Sequence, residues 1–156
     1  MLLELDPNRD DIVQRMVPEH IGEWSVRHLP DDVAADWAEA VKVFDVAAHR
    51  MTVVACGRTL EAAADARGVE GKTLERRIRK MLDDGVITTE FGAAMTYVRF
   101  IRNTGAHAGQ DVPADAAEGT MQFTLQALRL LFEVPGELAR LQGPPAELAD
   151  GPAHLE

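Results

Sequence analysis

Apolar residues in this chain return every third or fourth position, and over no stretch do they alternate with polar ones. This spacing narrows the fold more than any other feature, because side chains come back to one face about every 3.6 residues on a helix and about every 2 on a strand. Phe91, Ala94, Met95, Val98 and Ile101 form the clearest stripe, and Val33, Trp37, Ala40, Val41 and Phe44 form another. Leu74, Ile78, Met81 and Leu82 make a third, Met51, Val54, Ala55 and Leu60 a fourth, and Met121, Leu125, Leu128, Leu131 and Phe132 a fifth. Abundant alanine, only 5% aromatic residues and scarce β-branched runs favour the same state. The expected fold is an all-α bundle of four to five helices.

Punctuation residues place the helix ends. Leu29-Pro30-Asp31-Asp32 opens the first helix, which runs to about Val46. The second runs from about His49 to Ala66, unless the two are one long helix without a break near residues 45–48. Gly71-Lys72-Thr73 opens the third and Gly85 ends it. Thr88 or Thr89 caps the fourth. Residues 105–114 read as a loop, Asp115 as the cap of the last main helix to about Phe132, and Pro135 as the start of a short turn through Leu141. The helical domain is therefore expected over residues 31–141. Residues 1–30 read as an N-terminal extension, with a turn at Asp6-Pro7-Asn8, a short helix around Ile12, Val13, Met16 and Val17, and an extended piece at Trp24 and Val26 that packs on the body. Residues 142–156, rich in Pro, Gly and Ala, read as a flexible tail.

At 156 residues the chain can bury one real core. A single cysteine, Cys56, rules out a disulfide within the chain and fits a reducing compartment. No segment approaches the length and apolarity of a membrane span, and the acidic N-terminus does not resemble a signal peptide. The expectation is a cytoplasmic protein with no membrane partner. A net charge of −10 argues against a general nucleic-acid coat. Residues 58–107 nevertheless hold nine Lys/Arg against seven Asp/Glu, a net of +2, which leaves −12 for the remainder. A small phosphate site and a merely solvated surface both fit this imbalance. The third helix carries Lys72, Arg76, Arg77, Arg79 and Lys80, either as a solvated face or as a track for a phosphate backbone.

The chemistry-bearing stretch is Met95 to His107. Arg99 and Arg102 lie three apart and share a helix face. Asn103 follows Arg102, and His107 comes five positions after it. On an unbroken helix, positions five apart point about 140° apart. Gly105 can end the helix in a left-handed conformation, which lets His107 swing back toward Arg102. Permanent cations beside a group that titrates near neutrality suit a phosphodiester: Arg holds the phosphate and His moves a proton. His107 also fits a helix-end cap, and Asn103 a helix C-terminal residue. Arg58 and Glu61, three apart, are either a surface pair or a buried pair that orients the motif. His20, His28, His49 and His154 show no metal-ligand spacing, and neither a phosphate-cradling glycine loop nor a nucleophile elbow is present. No metal or cofactor is expected.

The Arg102-Asn103…Ala106-His107 motif resembles the RxxxxH signature of the HEPN superfamily (the higher-eukaryote and prokaryote nucleotide-binding domain). From about Leu29 to Leu141 the order of features resembles one HEPN-type family of unknown function that occurs alone or beside restriction and defence modules. The resemblance rests on Leu29 to Val33, Glu39-Ala40, Arg58-Thr59-Leu60-Glu61, Leu74 to Gly85, Ile87, the motif and Pro135. It implies a homodimer with the motifs at the interface and, in active members, a metal-independent endoribonuclease that leaves a 2′,3′-cyclic phosphate. Carried over, His107 is the general base or acid, Arg102 the phosphate clamp and Asn103 the orienting polar residue. Beside these, the residues themselves offer Arg99, Arg76, Arg77 and Lys80 as candidate substrate contacts and Arg58 and Glu61 as candidate supports of the site. A toxin or antiviral role follows, with an antitoxin or other protein as a further partner; a non-catalytic module that binds RNA or a nucleotide, or only dimerises, is the alternative. Many members carry Gly where Arg102 stands and place the Arg at the Arg99 position.

Overall fold

A computed structural model describes residues 22–107 and 109–143. Among these residues there is no strand. The helices are α1 (Asp31–Asp45), α2 (His49–Ala66), α3 (Leu74–Asp83), α4 (Thr89–Ala106), α5 (Ala114–Leu128) and α6 (Val134–Gln142). A π-helical turn, Arg129–Glu133, joins α5 to α6 without a break, so these three pieces form one rod and the bundle has five. The architecture is the all-α bundle that the apolar spacing requires.

Helix α2 is the centre of the bundle. It packs on α1, α4 and α5 and touches α3. Its buried set of Thr52, Val53, Cys56, Gly57, Thr59, Leu60, Ala63 and Ala64 therefore covers more than one face. Met81, Met95, Met121 and Leu128 are fully buried around it. The buried threonines cost no unpaired hydroxyl, because each bonds back to its own helix. Thr52 donates to Ala48 O at 3.0 Å and Thr59 to Ala55 O at 2.8 Å, while on α5 Thr120 donates to Ala116 O at 2.7 Å and Thr124 to Thr120 O at 2.8 Å. Cys56 lies between them with its Sγ 3.5 Å from Met121 Sδ. Burial pushes its thiol up to about 12, so it is an inert core group.

The turns follow their residues. Ala47, with φ of 57°, turns the chain between α1 and α2, which are separate helices. Gly68 and Gly85 take left-handed conformations after α2 and α3. Thr73 caps α3 by accepting from Arg76 N at 3.3 Å, and Thr88 caps α4 by accepting from Phe91 N at 3.3 Å.

Three expected boundaries differ. Gly105 does not end its helix; α4 continues to Ala106. The helix before Pro135 does not stop at Phe132, because the wider π turn carries the chain past the missing proline N–H. Pro113, not Asp115, precedes α5, and the Asp115 carboxylate instead accepts from Ala116 N at 2.9 Å inside the first turn.

Residues 22–30 seal one end. Trp24 is buried, its ring edge-on to Trp37 and Phe44, and Trp37 Nε1 donates to Trp24 O at 2.7 Å. Arg27 N donates to Glu133 Oε2 at 2.8 Å, and His28 Nε2 lies 2.8 Å from Glu137 Oε1. The short helix expected around Ile12–Val17 and nearly all of the C-terminal tail lie outside the described residues.

Candidate anion-binding site

The position of Arg102 is set by a residue on another helix. Gly57 is buried on α2, where α4 crosses it. A Cβ at position 57 would lie 2.2 Å from Arg102 Cδ and 2.8 Å from Cγ. Only a glycine leaves the groove that the Arg102 side chain occupies. One turn further along α2, Glu61 Oε1 meets Arg102 Nη1 at 2.5 Å. The side chains remain 28% and 36% exposed, so the pair is worth at most about 1 kcal/mol in stability. What it fixes is direction: the guanidinium is anchored at its stem by the groove and at its tip by a carboxylate.

Beside this anchor lies a cleft of about 300 Å³, lined by Glu61, Lys72, Glu75, Arg99, Arg102 and Asn103 together with the first residues of α3. Arg99 Nη1 sits 3.4 Å from Glu75 Oε2, while its Nε is buried without a hydrogen-bond partner. Three cations and one amide thus face a small open space with two carboxylates at its wall. Guanidinium groups held in this way suit phosphate oxygens, which accept two parallel N–H bonds. The structure therefore gathers Arg99, Arg102, Asn103 and Glu61 as the sequence suggests.

It does not gather the rest. His107 ends α4 in an extended conformation, is exposed and does not line the cleft. The swing toward Arg102 fails because Gly105 is used for close approach and not for a turn. A Cβ there would lie 2.4 Å from Val53 Cγ2, so the glycine lets α4 lie against α2. Arg50 holds this end from α2, its Nε donating to Gly105 O at 3.2 Å and its Nη2 to His107 O at 3.1 Å. Arg58 and Glu61 do not pair. Arg58 reaches back to Asp36 on α1 at 3.5 Å, because Glu61 is taken by Arg102.

On α3 the basic residues divide. Arg77 turns inward, donating to Gly71 O at 2.8 Å and Glu61 O at 3.0 Å and pairing with Asp65 at 2.8 Å, so it braces the α2–α3 junction and is not free for substrate. Lys80 pairs with Asp84 at 2.8 Å, and that bond raises the Lys80 ammonium above its usual range. Arg76 remains exposed. Lys72 belongs to the basic run that the sequence offers as a phosphate track, whereas Gly57, Arg50 and Glu75 are not singled out by the sequence. For Gly57 a signal existed: a glycine inside a helix costs about 1 kcal/mol relative to alanine, so its presence asks for a packing reason. Among the described residues no cluster of three His, Cys, Asp or Glu is placed to hold a metal, and no helix is long and apolar enough to cross a membrane.

The molecule is thus a helical domain that holds a clamped arginine beside an open cleft. Residues 38–143 match the model of the family described as a domain of unknown function, DUF4145, and the chain belongs to that family. Neither a curated protein nor a solved structure matches the chain.

Proposed function

We propose that this protein is a HEPN-like RNA-binding module that takes a phosphodiester in the cleft of Arg99, Arg102 and Asn103. The observation that carries the reading is Arg102 itself, threaded over Gly57 and aimed at an open cleft with a second arginine and Lys72. The local net charge of +2 over residues 58–107 and the resemblance of the motif to the HEPN signature support the same ligand. A fluorescently labelled oligoribonucleotide titrated with wild type and Arg102→Ala tests it. Loss of a charge-assisted bond of about 1.5–3 kcal/mol should weaken binding by roughly ten- to a hundredfold. Equal affinity for both proteins would refute the reading.

A second reading, a metal-independent endoribonuclease formed by a homodimer, is favoured by the outer face of α4. Ala93, Thr96, Tyr97, Phe100, Asn103, Ala106 and His107 are its exposed residues from 93 to 107, and none carries a formal charge when His is neutral. Phe100 is 64% exposed, and Tyr97 stacks edge-on with Phe123 of α5 at 5.5 Å. In a chain of net charge −10, a neutral aromatic face is where two copies approach with least repulsion. Pairing along α4 brings His107 and Arg102 of both copies to one interface. His107 then moves the proton as the 2′-oxygen attacks phosphorus and the 5′-oxygen leaves. Cyclic-phosphate ends made in EDTA by wild type, and by neither His107→Ala nor a monomeric Phe100→Glu, are the expected result. No cleavage by a dimeric wild type leaves the binding module.

A further inference from the structure

The cleft of Arg99 and Arg102 has a neighbour. A second, wider cleft of about 670 Å³ is bordered by Glu70, Lys72, Arg76, Arg79, Lys80 and Asp83. Lys72 lines both spaces and joins them around the start of α3. The cations in the second cleft are not equivalent. Arg79 is paired with Glu75 at 3.6 Å and Lys80 with Asp84 at 2.8 Å. Lys72 and Arg76 are exposed and hold no ion pair among the described residues. Glu70 and Asp83 border the same cleft and repel an anion, so its favourable part is confined to Lys72 and Arg76.

We infer that Lys72 and Arg76 form a second phosphate subsite, and that the ligand is a single-stranded polyanion held at successive phosphates rather than a mononucleotide. The inference rests on the proposed RNA-binding reading and deepens it. One phosphate lies at Arg99 and Arg102, the strand passes Lys72, and a neighbouring phosphate meets Arg76. Lys72 and Arg76 join such a path without giving up an ion pair among the described residues, and each phosphate neutralised releases condensed counterions. Arg77, turned inward onto Gly71 O, Glu61 O and Asp65, and Lys80, held by both oxygens of Asp84, stand outside the path.

The test is the salt dependence of binding, read by anisotropy with a labelled decauridylate and with labelled uridine monophosphate. For single strands each phosphate contact contributes about 0.7 to the slope of log affinity against log salt. Arg76→Gln should lower the decamer's slope by about that amount and leave the monophosphate's affinity unchanged. Lys72→Gln should weaken both ligands, and Lys80→Gln neither. An unchanged decamer slope in Arg76→Gln, or a monophosphate bound as tightly as the decamer, overturns the subsite. So does displacement of the decamer by polyglutamate of equal charge, which would make the surface a site for acidic peptides. Arg102→Ala in the same series separates the second subsite from RNA binding as a whole. A defective Arg102→Ala beside an intact Arg76→Gln removes the second subsite alone, whereas full binding by both removes the RNA-binding reading as well.

Discussion

Alanine at position 57 sets two opposed effects against each other. A buried glycine inside α2 costs the helix about 1 kcal/mol relative to alanine, so Gly57→Ala would stabilise the protein if nothing stood in the way. The new methyl, however, falls 2.2 Å from Arg102 Cδ and 2.8 Å from Cγ. These atoms lie mid-chain and cannot move without withdrawing the guanidinium from Glu61. Forcing an extra carbon into a packed site costs about 1–3 kcal/mol, which outweighs the helix gain at the upper end and cancels it at the lower. The single variant should therefore be neutral to about 2 kcal/mol less stable. In an Arg102→Ala background the obstruction is gone, and the same change should stabilise by about 1 kcal/mol. The coupling between the two positions is then about 1–3 kcal/mol, well above the few tenths found for independent sites. Urea unfolding of the four proteins of this cycle measures it. If Gly57→Ala stabilises both backgrounds equally, Arg102 does not lie across α2 and Gly57 does not anchor it. The cycle also carries a functional readout, because Gly57→Ala should weaken oligoribonucleotide binding as Arg102→Ala does.

Other expectations follow from contacts elsewhere. Hydrogen bonds from His28 first and Arg140 second hold the Glu137 carboxyl down at about 2, against 4.5 for an unperturbed glutamate. A depressed carboxylate adds stability above its unfolded value and loses it as the pH falls, so Glu137→Gln should destabilise at pH 6 and lose that effect between about pH 4.5 and 2. A flat difference in urea midpoint across that window would refute the link. Cys56, pushed up to about 12, should resist thiol reagents at pH 8 in the native protein and react fully once unfolded; prompt native labelling would contradict its burial. Gly105→Ala places a methyl 2.4 Å from Val53 Cγ2 and should destabilise by about 1–3 kcal/mol, with an undiminished thermal midpoint as the contrary result.

Much of the helical frame is legible in the chain because each element carries its own period and its own punctuation. Thr73, Thr88, Gly68 and Gly85 act within a few residues of themselves, so local chemistry predicts what they do. At the site, the misread positions are those decided by another helix. Gly105 offers a turn to any local reading, yet Val53 on α2 makes it a point of contact. Arg58 and Glu61 stand at pairing distance on one helix, but Arg102 arrives from α4 and claims Glu61. The same applies to the motif. Arg99, Arg102 and Asn103 share a face and fall together, whereas the place of His107 depends on where α4 ends and on Arg50 holding it there. Long-range competition for a carboxylate or a carbonyl leaves no periodic trace in the sequence.

The π turn at Arg129–Glu133 holds the equivalent of one surplus residue inside an otherwise regular rod. The wider turn absorbs that surplus, so the residues after it keep nearly the rotational phase of a regular helix one residue shorter. In that phase Glu133, Gly136 and Glu137 meet Arg27 and His28, with a Cβ at Gly136 falling 2.4 Å from the His28 ring. Deleting one residue between 129 and 132 should close the wide turn into an ordinary one and leave that face on residues 22–30, whereas adding one should turn it away by about 100°. The segment is thus free to shorten by a residue but not to lengthen.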